Sequence, residues 1–284
     1  MLQHLEKKNV TMLPGLFRER MLVNRNYLLE LGTQELLQNY YLEAGIVMPD
    51  LQILERPETA KLHWGWEAPT CQLRGHFLGH WLSAASSLIA SENDAALKAK
   101  LDEIISELAR CQELNGGEWI GPFPEKYFTR LEKELDIWSP QYVMHKLIMG
   151  LTHAYLYAGN EQALTIVRHL ADWYIRWTEK VQSTNPHAVY SGEESGMLEM
   201  WAQLFETTKD PVYETLASRY SNPSLFHNLS EGKDALTNCH TNSSIPWAHG
   251  AARMYEVTGD EKYKTIVELF WKCAVTDRGY FCTG

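Results

Sequence analysis

The chain has 284 residues, 45% hydrophobic and 11% aromatic, which is enough to bury a large core and unlike a disordered or fibrous protein. Its net charge of -10 argues against a nucleic-acid partner, because phosphate backbones are bound mainly by Lys and Arg, and it favours a neutral ligand. The first residues lack the pattern of a signal peptide and no long apolar run occurs, so we expect a cytoplasmic protein with no membrane partner.

The cysteines form an odd, scattered set without a C-x-x-C pair. They are Cys71, Cys111, Cys239, Cys273 and Cys282. This spacing indicates neither a disulfide framework nor a closed zinc site. Free buried thiols are the simpler interpretation, and the sequence predicts no metal ligands among them.

A repeated pattern runs along the chain. Apolar helical stretches ("LSAASSLIA", "GLTHAYLYA", "MLEMWAQLFETT" and "GAARMYEVT") are each followed by a Gly, Asn or Asp turn and a second, more charged helix. The last three of these turns begin at Gly159, Lys209 and Gly259, fifty residues apart. A helix, a tight turn and a helix make an αα-hairpin. The sequence therefore predicts an all-α fold, with apolar helices in the inner ring of a toroid and charged helices in the outer ring.

The links between successive hairpins are long and rich in Gly, Pro and aromatic residues. The longest is "LNGGEWIGPFPEKYFTRLEKELDIW", residues 114–138. Long loops in a compact domain usually carry function. We expect the ligand at the end of the toroid where these links gather.

The stretch "RGHFLGHWLSA", residues 74–84, predicts a buried helix with His76 and His80 on one face. Two such histidines can bind a metal, line a ligand cavity, or be hydrogen-bonded inside a core. Zinc needs three or four ligands and no acidic residue stands between the two, so a metal is the weakest interpretation. Gly75, Gly79 and Ser83 recur every four residues and predict that a neighbouring helix approaches closely.

The stretch "DIWSPQYVMHKLIMGL" predicts a helix with Ser139 as N-cap and Pro140 as first residue. Trp138 and Tyr142 then lie near the helix start, and His145 lies one turn further in. Aromatic faces beside a histidine suit a sugar ring, which has an apolar face and several hydroxyls. Aromatic packing in the core accounts for them equally well.

Two further stretches place polar residues just before a predicted helix. In "SGEESGMLEMW", Glu193 and Glu194 gain from the helix dipole, which is a sufficient structural role. They point about 100° apart on a helix and cannot together flank one glycosidic bond. In "NCHTNSSIPWAHGAARMYE", His240 belongs to a polar loop before a helix that Pro246 is predicted to open.

Several long motifs then resemble a known family. "RGHFLGHWLSAAS", "FPEKYFTRLE", "WSPQYVMHKLIMGL", "EESGMLE", "HTNSSIP" and "GAARMYEVTGDEKY" resemble, in order, the catalytic domain of β-L-arabinofuranosidases of glycoside hydrolase family 127, and more closely its relative family 146. The resemblance runs from about Leu16 to the last residue.

The resemblance implies an (α/α)6 toroid that removes β-L-arabinofuranose from plant glycans with retention. It implies a zinc-bound cysteine thiolate as nucleophile, further zinc ligands from one Glu and two more Cys, and a glutamate as acid/base. In the family these groups all follow the segment that here reads "YFCTG". We therefore expect a single domain, residues 1–284, that is an incomplete toroid truncated after Gly284, holds no catalytic residue or zinc itself, and is inactive alone.

The resemblance also implies sugar contacts. His240 matches a family histidine that lines the sugar subsite, and Glu194 stands where the family has a His or Glu facing the sugar. Tyr142 and His145 lie on the helix that supplies another subsite histidine. Together with the residues at inner-helix starts, the predicted substrate-binding set is Trp66, His76, Trp138, Tyr142, His145, Glu194 and His240. The expected partner is an arabinose-containing plant glycan or oligosaccharide.

Two other functions fit a toroid of hairpins. One is a lyase or hydrolase of unsaturated uronides, which would need an Asp pair and a basic subsite for the uronate. The acidity of the chain and the absence of an Arg/Lys cluster in its loops weigh against it. The other is a non-catalytic carbohydrate-binding protein, which the missing catalytic groups would permit.

Overall fold

A computed structural model describes residues 5–47 and 62–279 of the chain. Within these ranges the chain is helical and contains no strand, so the all-α prediction is confirmed. The chain divides into two compact units, Met1–Trp173 (unit 1) and Tyr174–Gly284 (unit 2). No helix in the described ranges has both the length and the apolar character needed to cross a membrane.

Unit 1 begins with a short 3-10 turn, Lys7–Asn9, and has a second one at Gly65–Glu67. Its helices are α1 (Leu16–Glu30), α2 (Thr33–Glu43), α3 (His76–Glu92), α4 (Ala95–Leu114), α5 (Lys126–Glu132) and α6 (Pro140–Ala158), followed by α7 (Glu161–Thr184), which continues into unit 2. Helix α5 lies within the long link of residues 114–138.

Unit 2 continues from α7 through a 3-10 turn, Pro186–Tyr190. Its helices are α8 (Met197–Thr208), α9 (Pro211–Tyr220), α10 (Ser224–Ser230), α11 (Thr241–Thr258) and α12 (Glu261–Trp271), and α12 runs on into one π-helical turn, Lys272–Thr276.

Four tight turns in the described ranges each join an apolar helix to a more charged successor, as the repeat predicts. In each turn a residue with left-handed backbone ends the first helix, and the next residue caps the second helix with its side-chain oxygen. The left-handed residues are Asn93, Gly159, Lys209 and Gly259, and the capping residues are Asp94, Asn160, Asp210 and Asp260. Because both signals are local, they could be recognised in the sequence.

The second helix of a hairpin buries one stripe only. In α4, Leu97, Leu101, Ile104 and Leu108 are fully buried and follow one another at three- and four-residue intervals. This is the spacing of one helical face, and the intervening Lys and Glu residues lie on the outer side. Burial of each such side chain contributes roughly 1.5–3 kcal/mol, so this stripe is a main source of the stability of α4.

In unit 1, α3 and α6 run parallel in close contact. A Cβ on Gly79 would overlap the backbone of Lys146, and Ser83, one turn further along α3, hydrogen-bonds His153 of α6. A Cβ on Gly150 would lie 2.6 Å from Gly79 O. The predicted close approach of a neighbouring helix at the small residues of α3 is therefore observed, and both helices begin at the same end of the unit.

Unit 2 repeats this arrangement with α8 and α11. A Cβ on Gly250 of α11 would lie 2.9 Å from the Leu198 side chain of α8, and further along both helices Arg253 hydrogen-bonds Glu206. Residue numbers rise together along the two helices, so they also run parallel and begin at one end of their unit.

The predicted starts of α11 and α6 have different outcomes. Helix α11 begins at Thr241 and contains Pro246 in its second turn, whereas Pro246 was expected to open it. A proline in the second turn costs one backbone hydrogen bond and crowds the carbonyl of Asn242, and the helix nevertheless begins at Thr241. Ser139 is the N-cap residue of α6 and Pro140 its first residue, as predicted, but Ser139 Oγ makes no capping hydrogen bond and has no hydrogen-bond partner in the described part of the chain.

Candidate functional site

An open groove of about 430 Å³ lies in unit 1 beside the start of α3. Its aromatic and polar lining is formed by Tyr27, His63, Trp64, Trp66, Glu67 and His76. Tyr27, Trp64 and Trp66 are 48%, 54% and 64% exposed, so their rings are open to a ligand. Ligand grooves combine such apolar faces with a few polar groups. Two of the predicted substrate-binding residues, Trp66 and His76, therefore line one cavity.

The segment that carries Trp66 and Glu67 is held in place by two buried amides of α2. Gln38 exchanges two hydrogen bonds of 2.8 Å with the backbone of His63, and its Nε2 also donates to Glu67 O at 2.8 Å. Asn39 Nδ2 donates to the same carbonyl at 2.9 Å. Both amides are only 1% exposed. Since buried amides must be paired to offset their desolvation, these bonds fix the backbone of the segment.

The carboxylate of Glu67 caps the start of α3. It accepts hydrogen bonds from Gly75 N at 2.7 Å and Phe77 N at 2.9 Å, and it lies 2.7 Å from His76 Nδ1. Burial alone would raise the pKa of Glu67. The hydrogen bonds from His76, Phe77 and Gly75 outweigh this effect, so the pKa lies below its usual value and the group is ionised at neutral pH.

Glycine is required at the N-cap of α3. Gly75 has a left-handed backbone with φ of 89°, and a Cβ there would overlap the ring of Pro122. It has no side chain with which to cap the helix, which leaves the first N–H groups for Glu67 to satisfy. Tyr40, fully buried in α2, donates from its hydroxyl to Gly75 O at 2.9 Å and fixes this corner from the other side.

His76 joins the groove to the start of α6. Its ring centroid lies 6.2 Å from that of Trp66, 6.2 Å from that of Tyr142 and 5.9 Å from that of His80. The structure thus brings together Trp66, His76 and Tyr142 of the predicted set. His76 and His80 do lie on one face of α3, and His76 both lines the cavity and is hydrogen-bonded by Leu73 O and Glu67, so two of the three interpretations describe it.

Trp138 and His145 lie at the start of α6 and differ in exposure. Trp138 is 46% exposed, and its backbone N–H donates to Gln72 Oε1 at 2.6 Å. His145 is 6% exposed, and burial, with Lys146 and two nearby histidines, holds its pKa well below the ordinary value, so the ring is neutral. Its Nε2 is buried without a hydrogen-bond partner among the described residues. Sugar contact by either residue stays a prediction.

In unit 2, Glu194 lies just before α8 and is 4% exposed. Trp247 Nε1, in the second turn of α11, donates to Glu194 Oε1 at 3.2 Å. Burial raises the pKa of Glu194 to about 7. His240 is the exposed N-cap residue of α11 and lies two helical turns before Trp247. Glu194 and His240 are therefore both at the starting end of the parallel pair α8 and α11.

Glu67 and Trp247 were not predicted as site residues. Glu67 lies next to Trp66, in a loop where no periodic pattern marks a carboxylate as buried. The available signal was indirect: α3 begins after Gly75, which cannot cap it, so an acceptor had to come from elsewhere in the chain. Trp247 has the spacing of a helix-face residue and nothing in the sequence distinguishes it from core packing.

The described residues do not fit the zinc site that the resemblance implies. Cys71, Cys111, Cys239 and Cys273 are free thiols, and in residues 5–47 and 62–279 no three His, Cys, Asp or Glu side chains are grouped so that they could hold a metal ion. Cys282 lies outside the described residues. No catalytic step can be derived through zinc from these groups.

These features define the class of protein: an all-α repeat of αα-hairpins with a polar and aromatic groove at the starting end of its inner helices. The family profile described as beta-L-arabinofuranosidase, GH127 catalytic domain, matches residues 9–284, and the chain belongs to this family. No curated protein matches the sequence.

Solved structures similar in fold to this chain include a member of the same family. It is Ara127N-Se, a GH127 beta-L-arabinofuranosidase from Geobacillus stearothermophilus T6, with a TM-score of 0.60 and 14% sequence identity. The match covers 93% of this chain and 45% of that one, so this chain spans less than half the length of the protein it matches. At this identity the likeness concerns the fold alone.

Proposed function

We propose that this chain forms part of the sugar-binding site of a retaining glycoside hydrolase that releases terminal β-L-arabinofuranose from plant glycans. Its membership of the GH127 family supports glycoside hydrolysis. The observation that carries the proposal for its own residues is the groove of unit 1, where the exposed face of Trp66 lies beside the imidazole of His76.

The groove suits a neutral sugar. The apolar face of a furanose ring can stack on Trp66, while the imidazole of His76 hydrogen-bonds a hydroxyl. Tyr142, packed near His76, offers a second polar group. We infer that Trp138 and His145 at the start of α6 add further sugar contacts in unit 1, and Glu194 and His240 stay predicted sugar contacts of unit 2. The net charge of -10 favours a neutral glycan over a uronate.

We place the groups that break the glycosidic bond outside these 284 residues. In the family, the cysteine nucleophile, the zinc ligands and the acid/base glutamate all follow the position of the "YFCTG" segment. The role proposed here is therefore to bind and orient the terminal sugar.

A binding experiment tests the proposal. We expect methyl β-L-arabinofuranoside to bind the chain in calorimetric titration, and Trp66→Ala and His76→Ala each to weaken binding about tenfold, since a stacking or hydrogen-bonding contact contributes about 1–1.5 kcal/mol. Trp271→Ala removes an equally exposed tryptophan (63%) outside the groove and should bind like the wild type. Absence of binding, or stronger binding of an unsaturated uronide, would contradict it.

A turnover assay tests where the catalytic groups lie. With an aryl β-L-arabinofuranoside and added zinc, we expect the 284-residue chain to hydrolyse no more substrate than buffer does, because retaining hydrolysis needs both a nucleophile and an acid/base. Turnover that a substitution within this chain abolishes would show that the catalytic groups are present in it.

A further inference from the structure

The carboxylate of Glu67 has four donors, two on each oxygen. Oε1 receives Phe77 N–H at 2.9 Å and lies 2.7 Å from His76 Nδ1. Oε2 receives Gly75 N–H at 2.7 Å and Asn39 Nδ2 at 3.3 Å. A carboxylate accepts about two hydrogen bonds on each oxygen, so all its capacity is used. This side chain therefore joins the helix cap and the His76 ring in one bonded unit.

The surroundings of His76 determine which ring nitrogen carries the proton. Nδ1 lies 3.0 Å from Leu73 O and 2.7 Å from Glu67 Oε1. A backbone carbonyl and an ionised carboxylate have no hydrogen to donate, so Nδ1 must be the donor. In the neutral ring the proton is then on Nδ1, and Nε2 keeps its lone pair as an acceptor.

We propose that Glu67 is a positioning residue for sugar binding: together with Leu73 O it fixes His76 as the Nδ1–H tautomer, so that Nε2 accepts a hydrogen bond from a substrate hydroxyl. The sugar part of this inference rests on the proposed function, whereas the tautomer does not. The same carboxylate fixes the orientation of the His76 ring. It lies against Nδ1 and also accepts from Gly75 N and Phe77 N at the start of α3, the helix that carries His76.

Glu67 itself has little freedom to move. Its carbonyl accepts from both Gln38 and Asn39, and its carboxylate is bonded to the first turn of α3. A positioning group must be more rigid than the group it orients, and this one is tied to two helices. His76 is thereby aligned before any ligand arrives.

The tautomer can be read directly from imidazole nitrogen shifts. In long-range ¹H–¹⁵N spectra of the labelled chain at about pH 8, where an ordinary histidine is neutral, we expect a protonated Nδ1 and an unprotonated Nε2 for His76, with His76→Gln assigning the signals. In Glu67→Gln, the amide NH₂ must face one of the two donor pairs whichever way it is turned. For this variant we expect the His76 nitrogen shifts to move from the wild-type values toward those of a mixture of tautomers, because Leu73 O is then the one remaining acceptor on Nδ1. We also expect about fivefold to tenfold weaker binding of methyl β-L-arabinofuranoside.

A second variant, Glu67→Asp, keeps the negative charge but has a shorter side chain. Glu67→Asp retains a carboxylate near the start of α3 while withdrawing it from Nδ1 by about one bond length. We expect it to unfold closer to the wild-type temperature than Glu67→Gln and still to show the altered nitrogen shifts and the weaker binding. In a His76→Gln background, Glu67→Asp should weaken binding no further, because the residue acts through His76.

The matched control is Asp94→Asn, which alters another helix-capping acid of unit 1. Asp94 accepts from Ala96 N and Leu97 N at the start of α4 and pairs with Arg25, away from His76. Asp94→Asn should lower thermal stability but leave the His76 nitrogen shifts and the affinity for methyl β-L-arabinofuranoside unchanged. The inference is overturned if wild-type His76 carries its proton on Nε2, or if both Glu67 variants keep wild-type shifts and affinity. A wild-type chain with the expected shifts that binds no sugar would instead reject the proposed function.

Discussion

Gly79 and Gly150 bring the backbones of α3 and α6 into direct contact. A Cβ on Gly150 would lie 2.6 Å from Gly79 O, and a Cβ on Gly79 would overlap the backbone of Lys146. Such contacts cannot be relieved by a rotamer change, so the helices would have to separate. The contact lies one turn from His76, which links the packing of these helices to the groove.

We expect Gly79→Ala and Gly150→Ala each to lower the free energy of unfolding by about 1–3 kcal/mol. Alanine has a higher helix propensity than glycine, so a net loss reports the steric overlap. Urea unfolding gives the measurement. Gly250→Ala is the comparison, since its Cβ would lie 2.9 Å from Leu198 Cβ and Cγ, a milder overlap than the 2.0 Å from Gly79 to Lys146 O, and it should lose less. A Gly79→Ala chain as stable as the wild type would show that the two helices do not touch there.

Glu194 should make the chain less stable as the pH rises. Burial raises its pKa to about 7 from 4.5, so between these values the folded state holds a proton that the unfolded state has lost. Stability therefore falls as pH increases through this window, by up to about 3 kcal/mol. Glu194→Gln, which has no proton to lose, should abolish this part of the dependence. Urea unfolding at about pH 5 and pH 7.5 measures it.

An exposed acid of the same unit provides the control for that experiment. Glu214→Gln, at an exposed position of α9, should keep the wild-type dependence of the unfolding free energy on pH. If Glu194→Gln also keeps the full pH dependence of the unfolding free energy, then Glu194 is ionised in the folded state and its burial against Trp247 is wrong.

His153 should have the opposite effect at lower pH. Burial lowers its pKa to about 4 from 6.5, and its Nδ1 bonds Ser83 Oγ at 2.6 Å. Below pH 6.5 the unfolded state gains a proton that the folded state does not, so stability falls as the pH drops toward 4. The loss is at most about 3 kcal/mol, and His145, also held neutral by burial, adds to it.

The measurement is acid unfolding followed by circular dichroism. His153→Gln should flatten the dependence between about pH 6.5 and pH 4, whereas His169→Gln, at an exposed position of α7, should not. An unchanged acid transition in His153→Gln would indicate that the ring is protonated in the folded chain.

The thiols should differ widely in reactivity. Burial raises the pKa of Cys111 to about 12 and leaves the side chain no exposed surface, so neither thiolate nor access is available. Cys239 is exposed. We expect a thiol reagent, followed by peptide mass mapping, to label Cys239 rapidly and Cys111 only after unfolding. Cys239→Ser should remove the rapid phase, and labelling of Cys111 at the rate of Cys239 would contradict the core described here.

The hairpins could be predicted because their signals are local. A left-handed residue followed by a capping Asp or Asn is set within two positions, and the small residues of α3 recur at one-turn spacing. The start of α11 was predicted less well, since Pro246 is tolerated inside the helix as well as at its first position.

The bonds that build the groove could not be predicted from the sequence. Asn39 and Glu67, which hold the groove of unit 1, are 28 residues apart, and the same holds in unit 2 for Glu194 and Trp247, which are 53 residues apart. Such pairings depend on how separate helices pack, and neither partner has a distinctive local pattern. The resemblance identified Glu194 by its alignment, while Glu67 became visible only through the donors that surround it.

The two amides of α2 have a consequence for the thermodynamics of binding. Fixing the backbone of a loop residue costs roughly 1–2 kcal/mol of conformational entropy, and a groove built on a loose loop would lose that amount from its affinity. Gln38 and Asn39 already hold residues 63–67 when the chain folds. Occupation of this groove should therefore have a small entropic cost, and its rate should be set by diffusion and the release of water, with no slow rearrangement of the segment beforehand.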